Sequence, residues 1–92
     1  LSQEDQIILK ELEAAVEFGI SVNRKALSAG QTLYIDFPRE IPATVAQAFL
    51  EKYRQAGWKH LRLYPDKTEP DQTVIELAKV RWYSFFMRLF NP

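Results

Sequence analysis

Leu33-Tyr34-Ile35-Asp36-Phe37-Pro38-Arg39-Glu40-Ile41-Pro42 opens the stretch that decides the fold, which runs on to Leu63. Leu33, Ile35 and Phe37 fall on one side of an extended chain, and Tyr34 and Asp36 on the other. That period of two marks a half-buried strand. Pro38 stops it, because proline cannot donate to a sheet ladder. Pro42 suits the first turn of a helix, where its missing N–H is not needed. Val45, Ala46, Phe49, Leu50, Tyr53 and Ala56 then recur at helical spacing, with Thr44, Gln47, Glu51, Lys52, Arg54 and Gln55 largely opposite. This is one apolar stripe on an amphipathic helix. Gly57 stands where a left-handed C-terminal cap is wanted. From Trp58 the alternation returns, with Leu61 and Leu63 on one face and His60 and Arg62 on the other.

Strand, helix, strand predicts two strands running the same way, joined by a right-handed crossover if they share a sheet. The helix must then cover one sheet face, so Leu33, Ile35, Phe37, Leu61 and Leu63 are expected to meet Val45, Phe49, Leu50 and Tyr53. After the polar, two-proline segment Tyr64 to Asp71, Thr73 to Lys79 reads as a third strand with Ile75 and Leu77 on one face. A short connection makes it antiparallel to the second strand. Whether it lies between the other two is left open by the sequence.

On the N-terminal side, Ser2-Gln3-Glu4-Asp5 resembles a capping box with Asp5 at the usual Glu position. Ile8, Leu12, Ala15, Val16 and Ile20 follow helical spacing, and Leu9 and Phe18 broaden the apolar face. Acidic residues crowd the start, and Arg24 and Lys25 come late, as a helix dipole favours. Two readings stand: one helix from about Ser2 to about Leu27, ending near Gly30, or a break at Gly19 with Ser21 capping a second, short helix. On the C-terminal side, eight of the eleven residues from Val80 to Phe90 are apolar or aromatic, so periodicity does not separate helix from strand. It is read as a helix. The expected fold is therefore α+β, a small three-stranded mixed sheet in the order β-α-β-β, covered by a helix. A long N-terminal helix and a helical C-terminal segment flank it.

Composition narrows function by exclusion. The 92 residues suit one domain, spanning 1–92 and excised from a larger chain. An apolar content of 47% and a charged content of 26% are those of a soluble globular domain. Cysteine is absent, which removes a disulfide framework, thiolate metal sites and a cysteine nucleophile. Twelve basic residues balance twelve acidic ones, unlike the basic excess of a dedicated duplex-DNA binder. No run is long and apolar enough to span a membrane.

No residue pattern implies a catalytic or metal site, or a cofactor. A general base would need a second titrating partner, so the single histidine, His60, reads as a surface side chain. Asp66, Glu69 and Asp71 miss the calcium-loop spacing and its glycine, so a solvated turn is the better reading. Asp36 lies at a strand end where ligands often bind, but the loop after it has no glycine to cradle a phosphate. Asp36 is read as a capping or salt-bridging carboxylate.

Two stretches invite a binding role. Trp82, Tyr83, Phe85, Phe86, Met87, Leu89 and Phe90 are more apolar surface than one buried face absorbs. They point to a protein partner or self-association, since such residues are enriched in interface cores. The leading reading is thus a non-catalytic protein-interaction or assembly module. The alternative is a nucleic-acid-binding module. It would use Lys52, Arg54, Lys59, His60 and Arg62 with neighbouring aromatics, and Arg81 and Arg88 beside Trp82 and Tyr83.

Overall fold

The computed structural model describes residues 1–79. The elements are α1 (Gln3–Val22), α2 (Arg24–Ser28), β1 (Leu33–Phe37), α3 (Ala43–Gln55), β2 (His60–Pro65) and β3 (Thr73–Ala78). The sheet order is β1-β3-β2. Helix α3 joins β1 to β2, and β3 is inserted between them, a split β-α-β arrangement. Strands β1 and β2 run the same way, as the sequence implies. The expected mixed sheet is nonetheless corrected: β3 separates them, and both ladders are antiparallel.

The chemistry of the strands explains this order. β3 carries no proline and is the most buried strand, with Thr73, Ile75, Glu76 and Leu77 all buried. Proline lies at the end of each outer strand, Pro38 just after β1 and Pro65 closing β2. Proline is tolerated at edges and not in a central ladder. The hairpin loop between β2 and β3 is pinned by Asp66, whose Oδ1 accepts from the Thr68 N–H, the Thr68 hydroxyl and the Glu69 N–H. The solvated-turn reading of this acidic loop matches that geometry.

Two helices, not one, cover the sheet. Ile8, Leu12 and Val16 of α1 join Val45, Phe49 and Tyr53 of α3 over Phe37, Leu61, Ile75 and Leu77 in one buried cluster. Phe49 is fully buried and stacks on Tyr53 with ring centroids 4.5 Å apart. The Tyr53 hydroxyl donates to Glu17 Oε1 at 2.8 Å, tying α3 to α1. Burial and that carboxylate push the Tyr53 phenol well above its ordinary value, so it stays a donor. Thr44 donates to Asp5 Oδ2 at 2.9 Å, a second tie between the helices.

Gly19 sets how closely α1 approaches β1. A Cβ there would lie 2.5 Å from Ile35 Cδ1 and 3.6 Å from Leu33 Cδ2, so only glycine fits without displacement. Helix α1 begins as the sequence implies, with Ser2 Oγ accepting from the Asp5 N–H at 3.1 Å. It ends neither at Gly19 nor at Leu27. Asn23 Nδ2 donates back to the Gly19 carbonyl at 2.8 Å, and Asn23 leaves helical geometry. Competition of an asparagine side chain for a backbone carbonyl breaks the expected long helix there, and α2 follows as one short turn.

Helix α3 ends as read. Gly57 takes φ 106°, the Trp58 N–H reaches the Tyr53 carbonyl and the Gly57 N–H reaches the Arg54 carbonyl, both at 3.0 Å. This pair of bonds is a Schellman cap. It turns the chain straight into β2. The helical expectation for Val80 to Phe90 lies outside the described residues.

Candidate interaction surfaces

Two surfaces of the described residues carry exposed chemistry: the sheet face turned away from the helices, and the outward side of α1. On the sheet face the strand alternation places Tyr34 and Asp36 of β1, Val74, Glu76 and Ala78 of β3, and His60, Arg62 and Tyr64 of β2. Glu76 is at its centre, flanked in register by Tyr34 and Arg62. It is only 9% exposed. His60 Nε2 lies 2.6 Å from Glu76 Oε2, and the Tyr64 hydroxyl donates to Oε1 at 3.0 Å. Arg62 Nη1 stands 3.8 Å from the same carboxylate, and its guanidinium lies 5.5 Å from the Tyr64 ring centroid.

Burial pushes the Glu76 carboxyl up, but the hydrogen bonds from His60 and Tyr64 and the Arg62 charge outweigh it, holding it below its ordinary value. The Tyr64 phenol is moved upward by desolvation and by donation to Glu76. The result is a carboxylate locked in place by its neighbours. No hydroxyl or thiol nucleophile stands in hydrogen-bond contact with His60 among the described residues. The cluster is a cross-strand clasp, of the kind that stabilises a sheet face.

The basic residues of the nucleic-acid reading are not brought together. Lys52 and Arg54 are exposed on α3, in the helix layer, and Lys52 pairs with Glu13 of α1. His60 and Arg62 lie on the opposite face of the sheet, both turned to Glu76. Lys59 is in the turn before β2. Arg81 and Arg88 lie outside the described residues, as do Trp82, Tyr83, Phe85, Phe86, Met87, Leu89 and Phe90. Asp36 is exposed and caps no helix, since the N-cap of α3 is Pro42 and no side chain caps it.

An open cleft of about 470 Å³ lies at the end of the sheet beside the start of α3. Arg39, Glu40, Ile41, Pro42, Tyr64 and Thr73 are among its walls. Its two charged side chains have opposite sign, and the Thr73 hydroxyl is already donated to the Arg39 carbonyl at 2.9 Å. Among the described residues no three His, Asp or Glu side chains converge on a metal position. No helix among them is long and apolar enough to cross a membrane.

The outward side of α1 is the surface that sequence reading missed. Ile7 is 53% exposed, Phe18 69% and Val22 61%. At about 100° per residue these three fall within about 60° of the helix, a sector that also holds the exposed Glu11, with Ala14 at its edge. Phe18 is roughly 160° around the helix from the fully buried Val16 on the same arithmetic. Phe18 therefore does not broaden the buried face, as the sequence suggests; it belongs to a second one. The signal was present in the spacing of Ile7, Ala14, Phe18 and Val22, one stripe running beside the stripe Ile8, Leu12 and Val16. No protein-family model, curated protein or solved structure matches the chain.

Proposed function

We propose that the chain is a non-catalytic protein-interaction module that docks a partner protein through the outward face of α1. One observation carries this reading. A 20-residue helix, already packed on a core along one side, presents Ile7, Phe18 and Val22 to solvent in a second line. Single exposed apolar side chains are ordinary, but an aligned set on a rigid element is what interaction sites are made of. Phe at the middle of such a line is the kind of aromatic anchor that interface cores favour. The Glu76 clasp supports the same reading from the other side, because its ionisable groups are spent on one another.

The nucleic-acid alternative gains nothing from the geometry. It needs cations gathered along one groove, and Lys52 and Arg54 are separated by the sheet from His60 and Arg62.

The test is site-specific crosslinking in cells. A photoreactive residue is placed at Phe18 and, as a control, at Glu51, which is exposed on α3. The reading expects a discrete protein adduct from position 18 and none from position 51. No adduct, or the same products from both positions, removes it.

A further inference from the structure

From the charge pattern along the same helix we infer that the partner on this face is a second copy of the chain, with the two α1 helices packed antiparallel and crossing at Ala14; this rests on the docking role of α1 given above. A two-fold pair requires a self-complementary surface, in which residue i of one copy meets j of the other and j meets i. Helix α1 meets that requirement. Ile7 and Val22 lie almost equally far on either side of Ala14, so in an antiparallel pair each covers the other. Ala14 is the smallest side chain on the ridge and stands where the two axes come closest.

The charges follow the same symmetry. Glu4 is exposed at the start of α1, and Arg24 and Lys25 are exposed just beyond its end. Antiparallel packing brings each acidic end against a basic end. Lys10 and Glu17 are both exposed and lie on one flank of the ridge, four residues before Ala14 and three after it. They too face each other across the pair. Glu17 keeps Oε2 for this contact, since Tyr53 occupies Oε1. Glu11, also on the ridge, comes between Glu17 and Phe18 of the other copy, so it adds no attraction to the pair. A parallel pair would instead set Glu4 against Glu4, Glu11 against Glu11 and Phe18 against Phe18, leaving Arg24 and Lys25 beside their own copies. Opposite charges across an interface fix register, and like charges oppose it. At about 30 Å, the helix is long enough for a continuous contact.

The test uses the full chain, which contains no native cysteine to interfere. Sedimentation equilibrium of the parent across a wide concentration range is expected to show a reversible dimer, and Phe18→Glu to shift it to monomer by at least tenfold in dissociation constant. Glu4→Lys alone and Arg24→Glu with Lys25→Glu are each expected to weaken the dimer, and their mixture to recover it in part as a heterodimer.

Ala14→Cys is expected to oxidise to a covalent dimer. Ile7→Cys and Val22→Cys should stay reduced separately and crosslink when mixed. A parent that remains monomeric at every concentration overturns the proposal. So does a dimer indifferent to Phe18→Glu, or one in which Ile7→Cys crosslinks to itself as readily as Ala14→Cys. A foreign protein crosslinked at position 18 by a strictly monomeric chain overturns the second copy and leaves the docking role of α1 standing.

Discussion

Gly19→Ala is the substitution whose outcome depends most sharply on how α1 meets the sheet. In an isolated helix the change would stabilise by about 1 kcal/mol, because glycine is the poorer helix former. Here the added Cβ arrives 2.5 Å from Ile35 Cδ1 and 3.1 Å from Ile35 Cγ1. Both are side-chain atoms, so the site can yield, but Ile35 is half-buried and packed against the core. Overpacking of this kind costs roughly 1–3 kcal/mol. The two effects leave a net change between about zero and 2 kcal/mol of destabilisation.

The cycle with Ile35→Val separates them. Ile35→Val alone removes Cδ1 and should cost about 0.5–1.5 kcal/mol. In the double variant the closest contact is gone, so the sum of the single effects should overestimate the loss by at least about 0.5 kcal/mol, the lower end for contacting residues. Urea unfolding of the four proteins, fitted with a common slope, measures this directly. A Gly19→Ala chain more stable than the parent by about 1 kcal/mol, with no coupling to Ile35, would show that α1 does not approach β1 as described.

Phe49→Ala should cost about 3–5 kcal/mol, since a fully buried ring stacked on Tyr53 is removed. At roughly 4–8 °C per kcal/mol for a domain of this size, calorimetry should show a melting point at least about 12 °C lower; a shift of a degree or two would refute the packing. Glu76 predicts an acid limb. Its folded carboxyl is held below the ordinary 4.5, so the stability it contributes is present above that value and is lost as pH falls through the lower folded value. Glu76→Gln should flatten that part of a urea-midpoint profile against pH; an unchanged limb would mean the clasp does not form. Single- and double-stranded nucleic-acid probes should give no shift at 0.15 M salt, on the order of physiological; retention that Lys59→Glu with Arg62→Glu abolishes would restore the nucleic-acid reading.

Much of this fold is legible in the chain because its punctuation is chemical. Pro38 and Gly57 end β1 and α3 through a missing donor and a left-handed cap where the sequence places them, while Pro42 stands just before the first turn, as the extended N-cap residue of α3. The order of the strands was less accessible, since it depends on long-range pairing. A clue did exist in the centre being taken by the strand with no proline within it or just after it. The end of α1 is not legible in the sequence because Asn23 acts through its side chain on Gly19, an event that hydrophobic periodicity does not register. The role of Glu76 is hidden for a similar reason. An acid in a central strand is tolerable only when His60, Arg62 and Tyr64 arrive from the neighbouring strand, and that meeting requires the hairpin register. The second stripe of α1 was blurred into the first because alternation of faces is easy to see on a strand and hard to see on a helix with two apolar sides.

The claim that the outward face of α1 is a docking surface is tested most directly by the affinity of the Phe18→Ser, Val22→Ser chain for the protein that crosslinks at position 18, measured beside its melting curve. Both side chains are exposed, so folding should change by no more than about 0.5 kcal/mol for each substitution. If the pair anchors the contact, losing about 2 kcal/mol or more of binding weakens it at least thirtyfold. The account predicts that loss with an almost unmoved melting point. Undiminished affinity, or a loss of binding that only follows unfolding, would contradict it.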